Sequence, residues 1–275
     1  MKKIFTLLGV LVLAGLVYGL FVQSPTAPEV TEMDEMDEVG AVDEAALVAT
    51  ESETVAYFGD VEGYMAKPVG DGPFPALILV HEWWGLNENI KDLADDFAAQ
   101  GYVALAVDLY DGAPAATTSD DAIVLATSVR QNVDGAFANL NAAVDYLEAQ
   151  SYADASKLAS VGWCFGGQWA YEMAKNDIGV AASVMYYGRF SPEDDLSMMR
   201  ADILGHFGEE DTSIAVDDVR QFEANLNTLE GDHAVFIYPN AGHAFANEDN
   251  EEAYNEEAAT LAWQRTLDFL SRELE

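Results

Sequence analysis

At 275 residues, half of them apolar, the chain is long enough for one large core and too apolar to be disordered throughout. Its formal charge of −37, from 49 acids against 12 Lys and Arg, repels nucleic acid and anionic lipid and excludes them as partners. The single cysteine excludes an intramolecular disulfide and a Cys-based zinc site.

Met1-Lys2-Lys3 precedes an uncharged run from Ile4 to Val22. Two lysines before an apolar stretch are what export machinery reads, and the stretch is just long enough to span a bilayer. Residues 1–22 are therefore expected to be a signal peptide or an N-terminal membrane anchor. The chain is then exported, to the periplasm or the exterior, or tethered to the outer face of the membrane through residues 4–22. Residues 23–53 read as an acidic, disordered linker, with ten acids and no base between Glu29 and Glu53. The acid excess matches a chain adapted to high salt, where ions screen self-repulsion, in preference to a merely acidic exported protein. Desalting is then expected to lower stability.

Residues 54–275 read as one α/β domain. A hairpin around Gly59-Asp60 comes first, then a buried strand over Pro75–Val80. A helix is expected over Asn87–Gln100 with Gly101 as its cap, and a strand over Tyr102–Val107. Helices near Ser119–Thr127 and Val133–Ala149 precede a strand over Lys157–Trp163 and a helix over Gln168–Lys175. Further strands fall at Val180–Tyr187, Asp202–Phe207 and Ala234–Tyr238, and further helices at Ala215–Leu229 and Ala253–Leu270. Strands alternating with helices at this spacing imply a mostly parallel, doubly wound sheet with helices on both faces.

Cys164 stands between the strand and the helix, in Gly162-Trp163-Cys164-Phe165-Gly166-Gly167. Gly-x-Cys-x-Gly at a strand–turn–helix junction is a nucleophile elbow with sulfur in place of the usual serine oxygen. The plainer alternative is a small buried residue beside a glycine turn. A nucleophile needs a base, and ligands in such sheets bind beyond the carboxyl ends of the strands. His243, in the loop after the last strand, satisfies both the chain order and the end of the sheet; His81 and His206 come too early, and His233 starts a strand. The acid belongs after the strand ending at Phe207, where Asp211 is preferred over Glu209 and Glu210 for its short reach to an imidazole. The backbone N–H groups of Trp83 and Phe165 are the expected oxyanion hole. Glu82, beside them, hydrogen-bonds the thiol or shapes the pocket; the alternative is a partly solvated loop glutamate. Trp84, Tyr110 and Phe245, with Trp83 and Trp163, fall near strand ends as pocket lining or as core. A metal site from His81, Glu82 and His243 is disfavoured because adjacent residues at a strand end point apart. No metal and no cofactor are expected.

Taken together, Gly162-x-Cys164-x-Gly166-Gly167, His81-Glu82-Trp83-Trp84-Gly85, Gly208-x-x-Asp211 and Gly242-His243-x-Phe245 resemble the dienelactone hydrolase family, within the α/β-hydrolases. The resemblance spans roughly Val55 to Leu270. It implies the α/β-hydrolase fold and a triad of Cys164, His243 and Asp211. It also implies that Glu82 holds the resting thiol, and that Trp83 and Phe165 supply the oxyanion-hole amides. The implied activity is hydrolysis of a small ester or lactone through a thioester acyl-enzyme. One departure bears on the substrate. The family's arginines, one after the Asp-Leu-Tyr strand end and one after the histidine, are replaced by Asp111-Gly112 and Asn247. A neutral ester or lactone is therefore expected. The competing reading is a non-catalytic envelope protein that keeps a hydrolase fold for binding. The oligomeric state is not legible.

Overall fold

The computed structural model describes residues 47–274. The expected signal or anchor and most of the expected linker lie outside these residues. The end of that linker is strand rather than coil: β1 (Thr50–Phe58) starts four residues before the expected boundary. Its alternating Thr50-Glu51-Ser52-Glu53 is solvent-exposed and paired along β2 (Val61–Pro68), so the edge strand carries its charge outward.

The chain continues through β3 (Phe74–Val80), α1 (Glu88–Ala99), β4 (Val103–Val107), α2 (Ser119–Gln131), α3 (Val133–Glu148) and β5 (Ala153–Trp163). It ends with α4 (Phe165–Lys175), β6 (Ala182–Tyr186), β7 (Asp202–Gly208), α5 (Val216–Leu226), β8 (Ala234–Tyr238) and α6 (Glu256–Leu274). The eight strands form one sheet in the order β1-β2-β4-β3-β5-β6-β7-β8. β1 and β2 are the antiparallel edge; β4, β3, β5, β6, β7 and β8 are parallel.

The two faces are built by strict alternation. In β3, Ala76, Ile78 and Val80 enter one core with α2, α3, α4 and α5, while Leu77 and Leu79 enter the other with α1 and α6. All five are fully buried, so truncating one of the larger ones to alanine would cost about 2–5 kcal/mol. Helix ends follow local chemistry. Asn87 caps α1, accepting a hydrogen bond from Ile90 N at 3.3 Å, and Gly101 takes the left-handed conformation just beyond it. α4 begins three residues earlier than expected, directly after Cys164.

Registers bring the parallel strands to a common edge: Val80 pairs with Gly162, Trp163 with Tyr186, and Tyr186 with His206. The loops that leave this edge carry the site.

Candidate active site

Cys164 sits at φ 53° and ψ −110°, a conformation that costs a non-glycine residue energy and lifts its side chain clear of the strand. The flanking glycines are needed for space. A Cβ on Gly162 would collide with the Gly166 carbonyl, and one on Gly166 would collide with the carbonyls of Val80 and His81. Without those atoms, the first turn of α4 packs directly onto the end of β3. This is how the loop holding Glu82 and Trp83 comes beside Phe165. Tyr187 and Ala244, also near the cysteine, share the left-handed conformation, so strain is concentrated at this end of the sheet.

The loop after β8 places His243 Nε2 3.1 Å from Cys164 Sγ. On the other side of the ring, His243 Nδ1 lies 2.7 Å from Asp211 Oδ2. Asp211 is buried and oriented in turn: its Oδ1 accepts hydrogen bonds from Ser213 N and Ser213 Oγ, both at 2.7 Å, and from Ile214 N at 3.2 Å. Ser213 Oγ is also 3.2 Å from His243 Nδ1. Glu209 and Glu210 point to solvent.

Burial alone would lower the His243 imidazole. The hydrogen bonds that the ring donates to Asp211 and Cys164, and the negative charges of both, outweigh it and lift the group to about 10. Burial would likewise raise Asp211, but hydrogen bonds from His243 and Ser213 prevail and hold it below the usual carboxylate range. A thiol facing an imidazole that is braced by a carboxylate is a geometry suited to a thiolate–imidazolium pair and to acyl transfer.

Glu82 is buried, and burial pushes its carboxyl up. Its Oε2 accepts from Asn247 Nδ2 at 2.6 Å and its Oε1 from Tyr187 OH at 3.3 Å. Among the described residues, no hydrogen bond joins Glu82 to Cys164. Trp83 and Trp84 are half-exposed, with rings 5.0 Å apart, and Tyr110 OH donates to the Trp83 carbonyl at 2.7 Å. Among the described residues, no hydrogen bond engages the backbone N–H of Trp83 or of Phe165, which leaves both donors free.

Two expected pocket residues serve otherwise. Phe245 is fully buried against Tyr187 and Tyr238, with ring centroids 5.4 and 5.1 Å away, and supports the histidine loop from within the core. Tyr110 is also buried and acts as a clamp on the Trp83 loop. His81 is sealed in, with Nδ1 2.6 Å from the Glu82 carbonyl and Nε2 accepting from Leu109 N at 3.2 Å. Sequence reasoning missed Ser213 and Tyr187. Asp211-Thr212-Ser213 carries a weak signal of an Asx turn; nothing local marks Tyr187. No group of three or more His, Cys, Asp or Glu is placed to hold a metal among the described residues.

Residues 61–274 match the family described as the dienelactone hydrolase family. Protein usf of Aquifex pyrophilus is 34% identical over 220 residues, which cover 78% of this chain and 94% of that protein. A Methylorubrum extorquens protein provisionally named carboxymethylenebutenolidase is 30% identical over 241 residues, 83% of this chain and 82% of that protein. Among solved structures, a provisionally identified dienelactone hydrolase from Klebsiella pneumoniae superposes with a TM-score of 0.71 at 27% identity. It covers 82% of this chain and 99% of its own. A dienelactone hydrolase-like promiscuous phosphotriesterase from metagenomic libraries is alike in fold, with a TM-score of 0.76 at 23% identity, over 82% of this chain and 100% of its own.

Proposed function

The chain belongs to the dienelactone hydrolase family and is a hydrolase of esters or lactones, and we propose that it works through a Cys164–His243–Asp211 triad and a thioester acyl-enzyme. The observation that carries this reading is the pair of contacts on one imidazole: Sγ at 3.1 Å from Nε2 and a carboxylate at 2.7 Å from Nδ1.

The Cys164 thiolate attacks the carbonyl carbon, and the developing oxyanion takes hydrogen bonds from the Trp83 and Phe165 amides. The tetrahedral adduct collapses with cleavage of the C–O bond, and His243 gives its proton to the leaving alkoxide. The product at this stage is the alcohol and a Cys164 thioester. Water then attacks the thioester while His243 takes its proton. The C–S bond breaks, the acid leaves, and the thiolate–imidazolium pair is restored. Asp211, fixed by Ser213, holds the ring in register through both steps. Glu82 acts on the pair through its charge, since its own hydrogen bonds go to Asn247 and Tyr187.

The test is hydrolysis of small esters and lactones by the wild type and Cys164→Ala side by side, with mass spectrometry of the acid-quenched enzyme. The expected result is activity lost in the variant and a wild-type mass increased by the acyl group. Equal rates in the two proteins would remove Cys164 from the reaction.

A further inference from the structure

The triad makes no use of His81, a fully buried histidine that follows β3 directly. Burying an imidazole costs free energy unless its nitrogens find partners, and both do. Nε2 accepts a hydrogen bond from Leu109 N at 3.2 Å. A backbone N–H can only donate, so Nε2 carries a lone pair and the ring proton sits on Nδ1. That proton goes to the Glu82 carbonyl, 2.6 Å away. Burial lowers the imidazole, which keeps the ring neutral and this tautomer intact. Asp108 Oδ1 is 3.8 Å from Nε2, and the carboxylate is already engaged: Oδ1 accepts from Tyr110 N at 2.8 Å and Oδ2 from Gly112 N at 2.9 Å.

The carbonyl that His81 holds belongs to the peptide joining Glu82 to Trp83. The other end of that peptide is the Trp83 N–H, one of the two amides given above to the oxyanion. A trans peptide is planar, with C=O and N–H pointing in opposite directions, so a donor fixed on the oxygen fixes the aim of the N–H. Gly85 N donates to the same oxygen at 3.1 Å and closes a turn around it. The following peptide is held too, by Tyr110 OH on the Trp83 carbonyl at 2.7 Å. The His81 ring also lies nearly parallel to the ring of Phe165, with centroids 5.7 Å apart and 15° between the planes, and meets Tyr110 edge-on at 4.7 Å. Phe165 supplies the second amide. One side chain therefore touches both halves of the hole, the Trp83 peptide through a hydrogen bond and Phe165 through its ring.

We propose that His81 is the positioning residue of the oxyanion hole: its Nδ1–H holds the Glu82–Trp83 peptide so that the Trp83 N–H faces the carbonyl oxygen of a substrate at Cys164. This rests on the hydrolase reading above. A histidine that only filled core space would affect every reaction of Cys164 alike. One that aims an oxyanion donor affects the reactions that build charge on a carbonyl oxygen.

The experiment measures kcat/KM for phenyl acetate and for phenyl thionoacetate, in which sulfur replaces the carbonyl oxygen, in wild type, Cys164→Ala, His81→Leu and His81→Asn. Sulfur is a poor hydrogen-bond acceptor, so the oxo ester depends on the hole far more than its thiono analogue does. His81→Leu should lower the oxo-to-thiono ratio about 10- to 100-fold, as a misaimed donor does. His81→Asn, whose amide N–H takes the place of Nδ1–H, should restore the ratio to near the wild-type value. An unchanged ratio in His81→Leu, or an equal fall in both variants, overturns the proposal. Alkylation of Cys164 by iodoacetamide builds no oxyanion and should proceed at the wild-type rate in His81→Leu. Slowing in step with ester hydrolysis would put the defect at the nucleophile and overturn the proposal as well. If neither variant folds, nitrogen NMR of the wild type decides: Nδ1 of His81 should be the protonated nitrogen, and a proton on Nε2 overturns the proposal. Equal ester hydrolysis in wild type and Cys164→Ala would instead bring down the hydrolase reading, and this role with it.

Discussion

His206 and His243 each use both ring nitrogens in hydrogen bonds, yet they have opposite electrostatic character. His206 lies inside β7 and is fully buried. Its Nδ1 is 2.8 Å from Tyr238 OH and its Nε2 3.0 Å from Thr266 Oγ1, which in turn meets Tyr186 OH at 2.6 Å. Burial, with a contribution from Arg265, holds His206 well below the ordinary imidazole range. His243 is only partly buried, and its partners are a carboxylate and a thiol, which carry it up to about 10. Hydroxyls satisfy a neutral ring but cannot compensate an imidazolium, whereas an anion can. The partner set, more than the residue type, separates a packing histidine from a chemical one.

The largest effects should come from the charged set. His243→Ala is expected to lower ester hydrolysis at least about 1,000-fold, as loss of a member of the triad does. Comparable activity in that variant would erase the distinction between the two histidines. His206→Ala should do the reverse. It leaves two hydroxyls, those of Tyr238 and Thr266, short of a partner and a void in the core, at a cost of roughly 2–4 kcal/mol in urea unfolding, while kcat/KM of the folded fraction stays within a few-fold of wild type. Full stability in His206→Ala would mean that the buried cluster is looser than its distances imply.

Asn247→Ala probes the carboxylate that faces His243. Burial already pushes Glu82 up, and its shortest compensating hydrogen bond comes from Asn247. Without it, Glu82 should hold a proton to higher pH, moving the acid limb of kcat/KM upward and lowering activity near neutrality by up to about tenfold. An unmoved limb would detach Glu82 from the reaction.

The smallest effects are in pH-dependent stability, and they have opposite signs for the two histidines. The folded His243 binds its proton more tightly than the unfolded one does. Its stabilisation is therefore fully present below pH 6.5 and is lost as pH rises through about 10. Hydrolysis should decline over the upper part of that window as the general acid is lost. The folded His206 is depressed, so the unfolded chain takes up the proton, and stability is lost as pH falls below 6.5. Urea unfolding of wild type, His243→Ala and His206→Ala across pH 5–10.5 checks both. The first variant should lack the alkaline slope and the second the acid slope.

The sequence alone determined the parallel α/β architecture, the elbow at Cys164, and the order of Cys164, Asp211 and His243 along the chain. Those features are local: alternation in a strand, small residues at a tight junction, and a loop following a strand are all written within a dozen neighbouring residues. Tertiary structure decided which groups meet across loops. Glu82 and Asn247 are 165 residues apart in the chain, and nothing near either one announces their contact. The burial of Phe245 and the placing of Tyr187 against Glu82 likewise depend on how the sheet registers bring separate elements to one edge. Local pattern specifies which end of the sheet a side chain occupies. Only the packed arrangement of strands and helices sets the few ångströms that separate a pocket wall from a core residue.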